Sequence, residues 1–315
     1  IRLQKNTFIK KVISGNFSDK FINEFLIIKL KNLDLFEINI NGIIKFISSS
    51  LIFGLITSIA KLKVPNSNKN LINCGSNAGG ISFLKYSNND IWVNIFTHFF
   101  GRSGCRRIIP GYHICNDLKG RACIIAAVEK LRFVYIINHK FKDSGIISSP
   151  VEIQKSNSII TNIVALENKF NNPCFATIEI DKHEMNDLSK SFIIRISKFL
   201  VFYEFDLGLN ILVTSYLVKL NIESHIIIPL HYEFINTPSC LINNNKFIIL
   251  KNKYRKEIFL TLPKRIDEEI NSDNILTTFA AFIYKNNNIY LIQDENGNLF
   301  QLNTKIFNRN NERYY

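Results

Sequence analysis

Five residues separate Cys115 from Arg121 in "CNDLKGR", the spacing at which a thiolate nucleophile and an arginine share one phosphate-binding loop. In such a loop the thiolate attacks phosphorus while the guanidinium fork and the loop amides hold the oxygens. The loop must open a helix, whose N-terminus lowers the thiol pKa, and "ACIIAAVEKL" from Ala122 would have to be that helix. The residues favour another structure. Ala122 occupies the place of a hydroxyl partner, and Asp117 and Lys119 put bulk where amides must face phosphate. Asn116-Asp117 followed by Lys119-Gly120 is β-turn chemistry. Strand, turn, strand is the expectation, and a cysteine-dependent phosphatase using Cys115 and Arg121 is the alternative.

Other residues invite chemistry less specifically. Cys105 lies beside Arg106 and Arg107, cations that could stabilise a thiolate, but no histidine is placed nearby in sequence to act as its base. His98, Cys105, His113 and Cys115 include two zinc-ligand types, with His113 and Cys115 on one strand face, yet no CxxC or HxxxH pair is present. "GSNAGG" (Gly75 to Gly80) lacks the Lys-Ser or Lys-Thr of a phosphate loop and reads as a hairpin turn. "KNKYRKEIF" (Lys251 to Phe259) mixes cations and aromatics that could stack on and neutralise RNA, or form a solvated strand face. No catalytic, cofactor-binding or metal residue is assigned, and no cofactor is expected.

The elements that must position these residues are strands. Among 315 residues, 46% are hydrophobic and 21% charged, enough for a sizeable core and too apolar for a disordered chain. "EFLIIKLKNLDLFEINI" (Glu24 to Ile40) is two strands around a polar turn, and "LINCGSNAGGISFLKY" (Leu71 to Tyr86) is a hairpin. "YHIC", "ACIIAAVE" and "FVYIIN" alternate with the turns "NDLKGR" and "KLR". "FAAFIYKNNNIYLIQDENGNLFQLN" (Phe279 to Asn303) gives three more strands, with Asn296-Gly297 suited to a tight turn. Helix signals are poor, with Arg195 to Tyr203 the best of them. Repeated meanders of this kind suit an all-β, WD40-like β-propeller. At roughly 40–50 residues per blade the length admits about six or seven blades, and seven is the expectation.

The net charge of +13 and a pI near 9.4 favour anionic company such as nucleic acid or acidic protein surfaces. Runs such as "NSNKN" and "KNNN" fit an AT-rich coding sequence, which dilutes that signal. The best membrane candidate, "ISSSLIFGLITSIA" (Ile47 to Ala60), is too short to span, and no signal peptide is visible. Six cysteines are too sparse for a disulfide scaffold, and reduced intracellular thiols are expected.

Long stretches carry a resemblance as well. "FGRSGCRRIIPG" (Phe100 to Gly111), "DLKGRACIIAAVEKLRFVYIIN" (Asp117 to Asn138) and "ISSPVEIQKSNSI" (Ile147 to Ile159) resemble the splicing factor 3B subunit 3 family. "NNPCFATIEID" (Asn171 to Asp181) and "FYEFDLGLN" (Phe202 to Asn210) continue the match in order, and "ISGNFSDKFINEFLIIKLKNLDLFEI" (Ile13 to Ile38) is similar to that family's first blade. The resemblance implies the amino-terminal propeller of a three-propeller scaffold, occupying residues 1–315 here. Its relatives are the large subunits of the cleavage and polyadenylation specificity factor and of the damaged-DNA-binding complex, whose adaptor role is the alternative. It further implies a nuclear, non-enzymatic subunit of the SF3b complex of the U2 snRNP. Such a subunit holds the HEAT-repeat subunit and small subunits that recognise the branch site, with at most indirect or weak RNA contact and no membrane contact. "GSNAGG" and "KHEMNDLSK" (Lys182 to Lys190) are less acidic than the family's loops. A start at Ile1 and a length near one propeller leave open a piece of a longer protein or a reduced gene. Arg106 and Arg107 are expected to meet acidic groups or a partner, and Cys105 and Cys115 to be packing thiols.

Overall fold

A computed structural model describes residues 8–18, 23–52, 54–64, 67–87, 89–100, 106–137, 150–153, 158–168, 171–181, 197–230, 237–244, 247–253, 257–263, 275–284 and 287–305. Every regular element among them is a strand, apart from one 3₁₀ turn at Arg106–Ile108. The strands form six antiparallel meanders. The first sheet is β1 (Lys11–Gly15), β2 (Asn23–Ile28), β3 (Asn32–Ile38) and β4 (Ile44–Leu51), and the second is β5 (Ile56–Lys63), β6 (Asn70–Ser76), β7 (Gly80–Tyr86) and β8 (Trp92–Phe99). The third comprises β9 (His113–Asn116), β10 (Ala122–Ala126), β11 (Arg132–Ile136) and β12 (Val151–Glu152). The fourth comprises β13 (Ser158–Leu166), β14 (Cys174–Asp181), β15 (Lys198–Asp206) and β16 (Ile211–Leu220). The fifth holds β17 (Ile227–Pro229), β18 (Ser239–Asn244), β19 (Phe247–Asn252) and β20 (Ile258–Thr261), and the sixth β21 (Leu276–Tyr284), β22 (Asn287–Asp294) and β23 (Leu299–Lys305).

These are propeller blades, six among the described residues where seven were expected. The expectation assumed a near-uniform repeat. Successive sheets begin at Lys11, Ile56, His113, Ser158, Ile227 and Leu276, and the steps from Ile56 to His113 and from Ser158 to Ile227 overrun it. Residues Lys198 to Tyr203, within the best helix candidate, belong to strand β15, because Phe199, Val201 and Tyr203 pair with β14.

The chain divides into two compact units, Ile1–Ile163 with Leu207–Leu212, and Val164–Asp206 with Val213–Tyr315. In the first unit, Leu26, Ile28, Leu33 and Leu35 of the first sheet pack on Ile59, Ile72 and Cys74 of the second. The other face of the second sheet packs Leu71, Ile81 and Phe83 on Ile114, Cys123 and Ile125 of the third. Strands β6 and β10 are thus buried on both faces: β10 (ACIIA) reads as an unbroken apolar run rather than an alternating one, while β6 (NLINCGS) carries a buried Asn73 whose Nδ2 donates to Asn116 Oδ1 and Cys123 Sγ. In the second unit, Cys174, Ala176 and Phe202 meet Ile227 and Ile242, while Leu241 and Leu250 meet Tyr290 and Ile292. The membrane candidate is divided between β4 and β5, and among the described residues no helix is long and apolar enough to cross a membrane.

Candidate functional site

The loop between Cys115 and Arg121 is a hairpin turn. Gly120 N–H donates to Asp117 O at 2.8 Å and Asp117 N–H to Ala122 O at 2.9 Å, joining β9 directly to β10. No helix follows Gly120: Ala122 starts a fully buried strand. Arg121 Nε donates to Asp117 Oδ2 at 2.8 Å and Nη2 to Oδ1 at 3.1 Å, so the fork that would hold a phosphate grips a buried carboxylate. The amides turn inward and the arginine is neutralised, which removes the basis of the phosphatase alternative.

The remaining chemistry is likewise absorbed into structure. Burial pushes the thiol of Cys74 up to about 12 and that of Cys123 well above its ordinary value, and Cys123 Sγ accepts from Asn73 Nδ2 at 2.9 Å. Buried thiols of this kind are inert packing groups. Cys115 is half-buried; Cys105 lies outside the described residues. His113 and Cys115 do share a strand face, but among the described residues no group of three His, Cys, Asp or Glu side chains could hold a metal. His98 packs its ring 4.4 Å from that of Phe100. Arg107, exposed, meets buried Glu129 at 3.3 Å, the acidic partner expected for one of the paired arginines. Gly75 to Gly80 forms the β6–β7 hairpin, with Gly79 at φ +77° and its N–H on Ser76 O. Of the basic run from Lys251, Lys251 itself is buried and paired with Glu257, which withdraws it from RNA, while Ile258 and Phe259 are exposed on β20. Lys182 to Lys190 lies outside the described residues.

Among the described residues, one concave site gathers polar side chains from several sheets. A cleft of about 270 Å³ in the first unit is lined by Lys10 and Lys11 at β1, Thr57 and Ser58 of β5, Tyr112 and His113 at β9, and Thr161 and Asn162 of β13. Each pair sits in or next to the first strand of its sheet, at its start for β1, β5 and β9 and in its middle for β13. Thr57 Oγ1 and Ser58 Oγ both donate to Gly111 O, at 2.7 and 2.6 Å. Lys10 Nζ donates to Ile56 O at 2.7 Å and Lys11 Nζ to Ile59 O at 3.0 Å, and desolvation lowers the pKa of both. Desolvation lowers the pKa of His113 to about 4, so its ring is neutral, and Nε2–H donates to the Ile160 carbonyl at 3.1 Å. Sequence reasoning missed the cleft as a site because its residues come from four distant segments. The available signal was the recurrence of polar pairs in or beside each first strand.

The family model described as the RSE1/DDB1/CPSF1 first β-propeller matches residues 8–313. Spliceosome-associated protein 130 A of Arabidopsis thaliana is 32% identical over 96% of this chain and 25% of its own length. The probable splicing factor 3B subunit 3 of Dictyostelium discoideum is 30% identical over 96% of the chain and 25% of its own, and pre-mRNA-splicing factor RSE1 of Mycosarcoma maydis 30% over 96% and 26%. The chain therefore spans about a quarter of the length of these curated relatives.

Proposed function

This chain belongs to the RSE1/DDB1/CPSF1 first β-propeller family, and from that premise we propose that it is a non-enzymatic scaffold of pre-mRNA splicing. In this reading it is a nuclear subunit of the SF3b complex of the U2 snRNP. It holds the HEAT-repeat subunit and small subunits at the branch site through protein contacts. The observation that carries the reading is similarity to splicing factors along 96% of the chain. The collapse of the Cys115–Arg121 spacing into a turn closed by Asp117 is consistent with a role without turnover.

Strand surfaces support a docking role. The last strands of several sheets present apolar side chains to solvent: Ile44 and Phe46 on β4, Val93 on β8, Val213 and Leu217 on β16, Ile258 on β20. A meander ends in an unpaired strand edge, and such edges take partners by added strands or by packed side chains. RNA is met indirectly or weakly.

The test is recovery of partners by the tagged chain from nuclear extract. Branch-site recognition factors are the expected company. Cleavage and polyadenylation factors, or damaged-DNA factors, in their place would reject the splicing reading in favour of a sibling branch of the same family.

A further inference from the structure

We propose that the cleft at the start of β1, β5 and β9 and the middle of β13 binds a small, multiply charged phosphate compound. The reading is independent of any splicing role, since it rests on what the cleft contains. Lys10 and Lys11 bring two ammonium groups into it, and none of the residues that line it is Asp or Glu. Neither lysine has an ion-pair partner among the described residues. Each Nζ makes one hydrogen bond, to Ile56 O or Ile59 O. An ammonium has three N–H donors, so two on each lysine stay available.

Protein matter crowds both ammonium groups, and desolvation is the first cause of their lowered pKa values. Both lysines nonetheless remain exposed to solvent. A bound anion would restore the charge stabilisation that crowding removes. Tyr112, half exposed, adds a phenolic donor. Thr57 and Ser58 spend their protons on Gly111 O and so fix the wall rather than the ligand.

The choice of phosphate follows from the donor type. Planar carboxylates are matched by the arginine fork, whereas lysine meets phosphate as a point charge from any direction. The cleft holds two lysines and no arginine. Its volume of about 270 Å³ equals roughly nine waters at about 30 Å³ each, room for a di- or triphosphate group with a small appendage.

Isothermal titration of the 315-residue chain with inorganic pyrophosphate at low ionic strength tests this. One site is expected, with citrate binding more weakly than pyrophosphate. Lys11→Gln should weaken pyrophosphate binding about tenfold, the worth of a charged hydrogen bond, and Lys10→Gln with Lys11→Gln should abolish it. Lys219→Gln, on exposed β16, should change nothing. If the lysine variants do not fold, Tyr112→Phe supplies the second arm, with binding weakened about threefold. Absence of binding, citrate equal to pyrophosphate, or undiminished binding in folded cleft variants would overturn the proposal, as would displacement of pyrophosphate by single-stranded RNA at far lower concentration.

Discussion

His113 shows how one side chain carries a pH dependence into the fold. A carbonyl can only accept, so the hydrogen bond to Ile160 O puts the ring proton on Nε2. Desolvation, with Arg132 adding to it, pushes the pKa from 6.5 down to about 4, against the raising effect of that hydrogen bond. The unfolded chain protonates this residue as pH drops through 6.5, while the folded chain resists until about 4. Its stabilising share is therefore complete above pH 6.5 and is lost progressively on the way down to about 4, to a total of about 3 kcal/mol. Urea unfolding at pH 7.5 and pH 5 measures it. His113→Gln should remove much of the loss between the two conditions, and an unchanged loss would assign the acid sensitivity elsewhere. Arg121 illustrates the opposite lesson for residue chemistry. A side chain suited to phosphate becomes structural once Asp117 lies three ångströms from it, at 2.8 and 3.1 Å.

At the level of elements, the close approach of β6 to the Gly111 turn decides how the second and third sheets meet. A Cβ on Gly75 would lie 2.3 Å from Gly111 O and 2.9 Å from its C and Cα, all backbone atoms that cannot swing aside. Gly111 itself is at φ +98°, a conformation open to glycine, and its carbonyl anchors Thr57 and Ser58. Gly75→Ala is expected to cost about 3 kcal/mol by overpacking. Gly42→Ala meets nothing within 4 Å and has only its φ of +76° to oppose it, so it should cost about 1 kcal/mol. Chemical denaturation of the two variants checks the order, and equal costs would mean that the two sheets part easily at this contact.

For the whole molecule, a charge of +13 sets the long-range field. It predicts weak, sequence-indifferent retention of single-stranded RNA at 50 mM salt, falling at least tenfold by 200 mM as released counterions cease to favour binding. Filter binding with two unrelated oligonucleotides checks this, and tight binding that ignores salt would point to a dedicated RNA surface. The sequence by itself determined the strands and their meander order. Hairpins such as Glu24 to Ile40 and Leu71 to Tyr86 are local, written in alternation, turn residues and glycine. It also carried the family, because the matched segments run in order along nearly the whole chain. The blade count was less legible: six sheets stand among the described residues where seven were expected, since connections between sheets carry no period of their own. The cleft was decided by tertiary structure alone. Lys11, Ser58, His113 and Asn162 belong to segments about fifty residues apart, and their meeting depends on stacked faces whose apolar side chains say that something is covered but not by which strand. Hydrogen bonds within a hairpin are specified by neighbours in sequence; a shared wall is specified by packing, which no local pattern encodes.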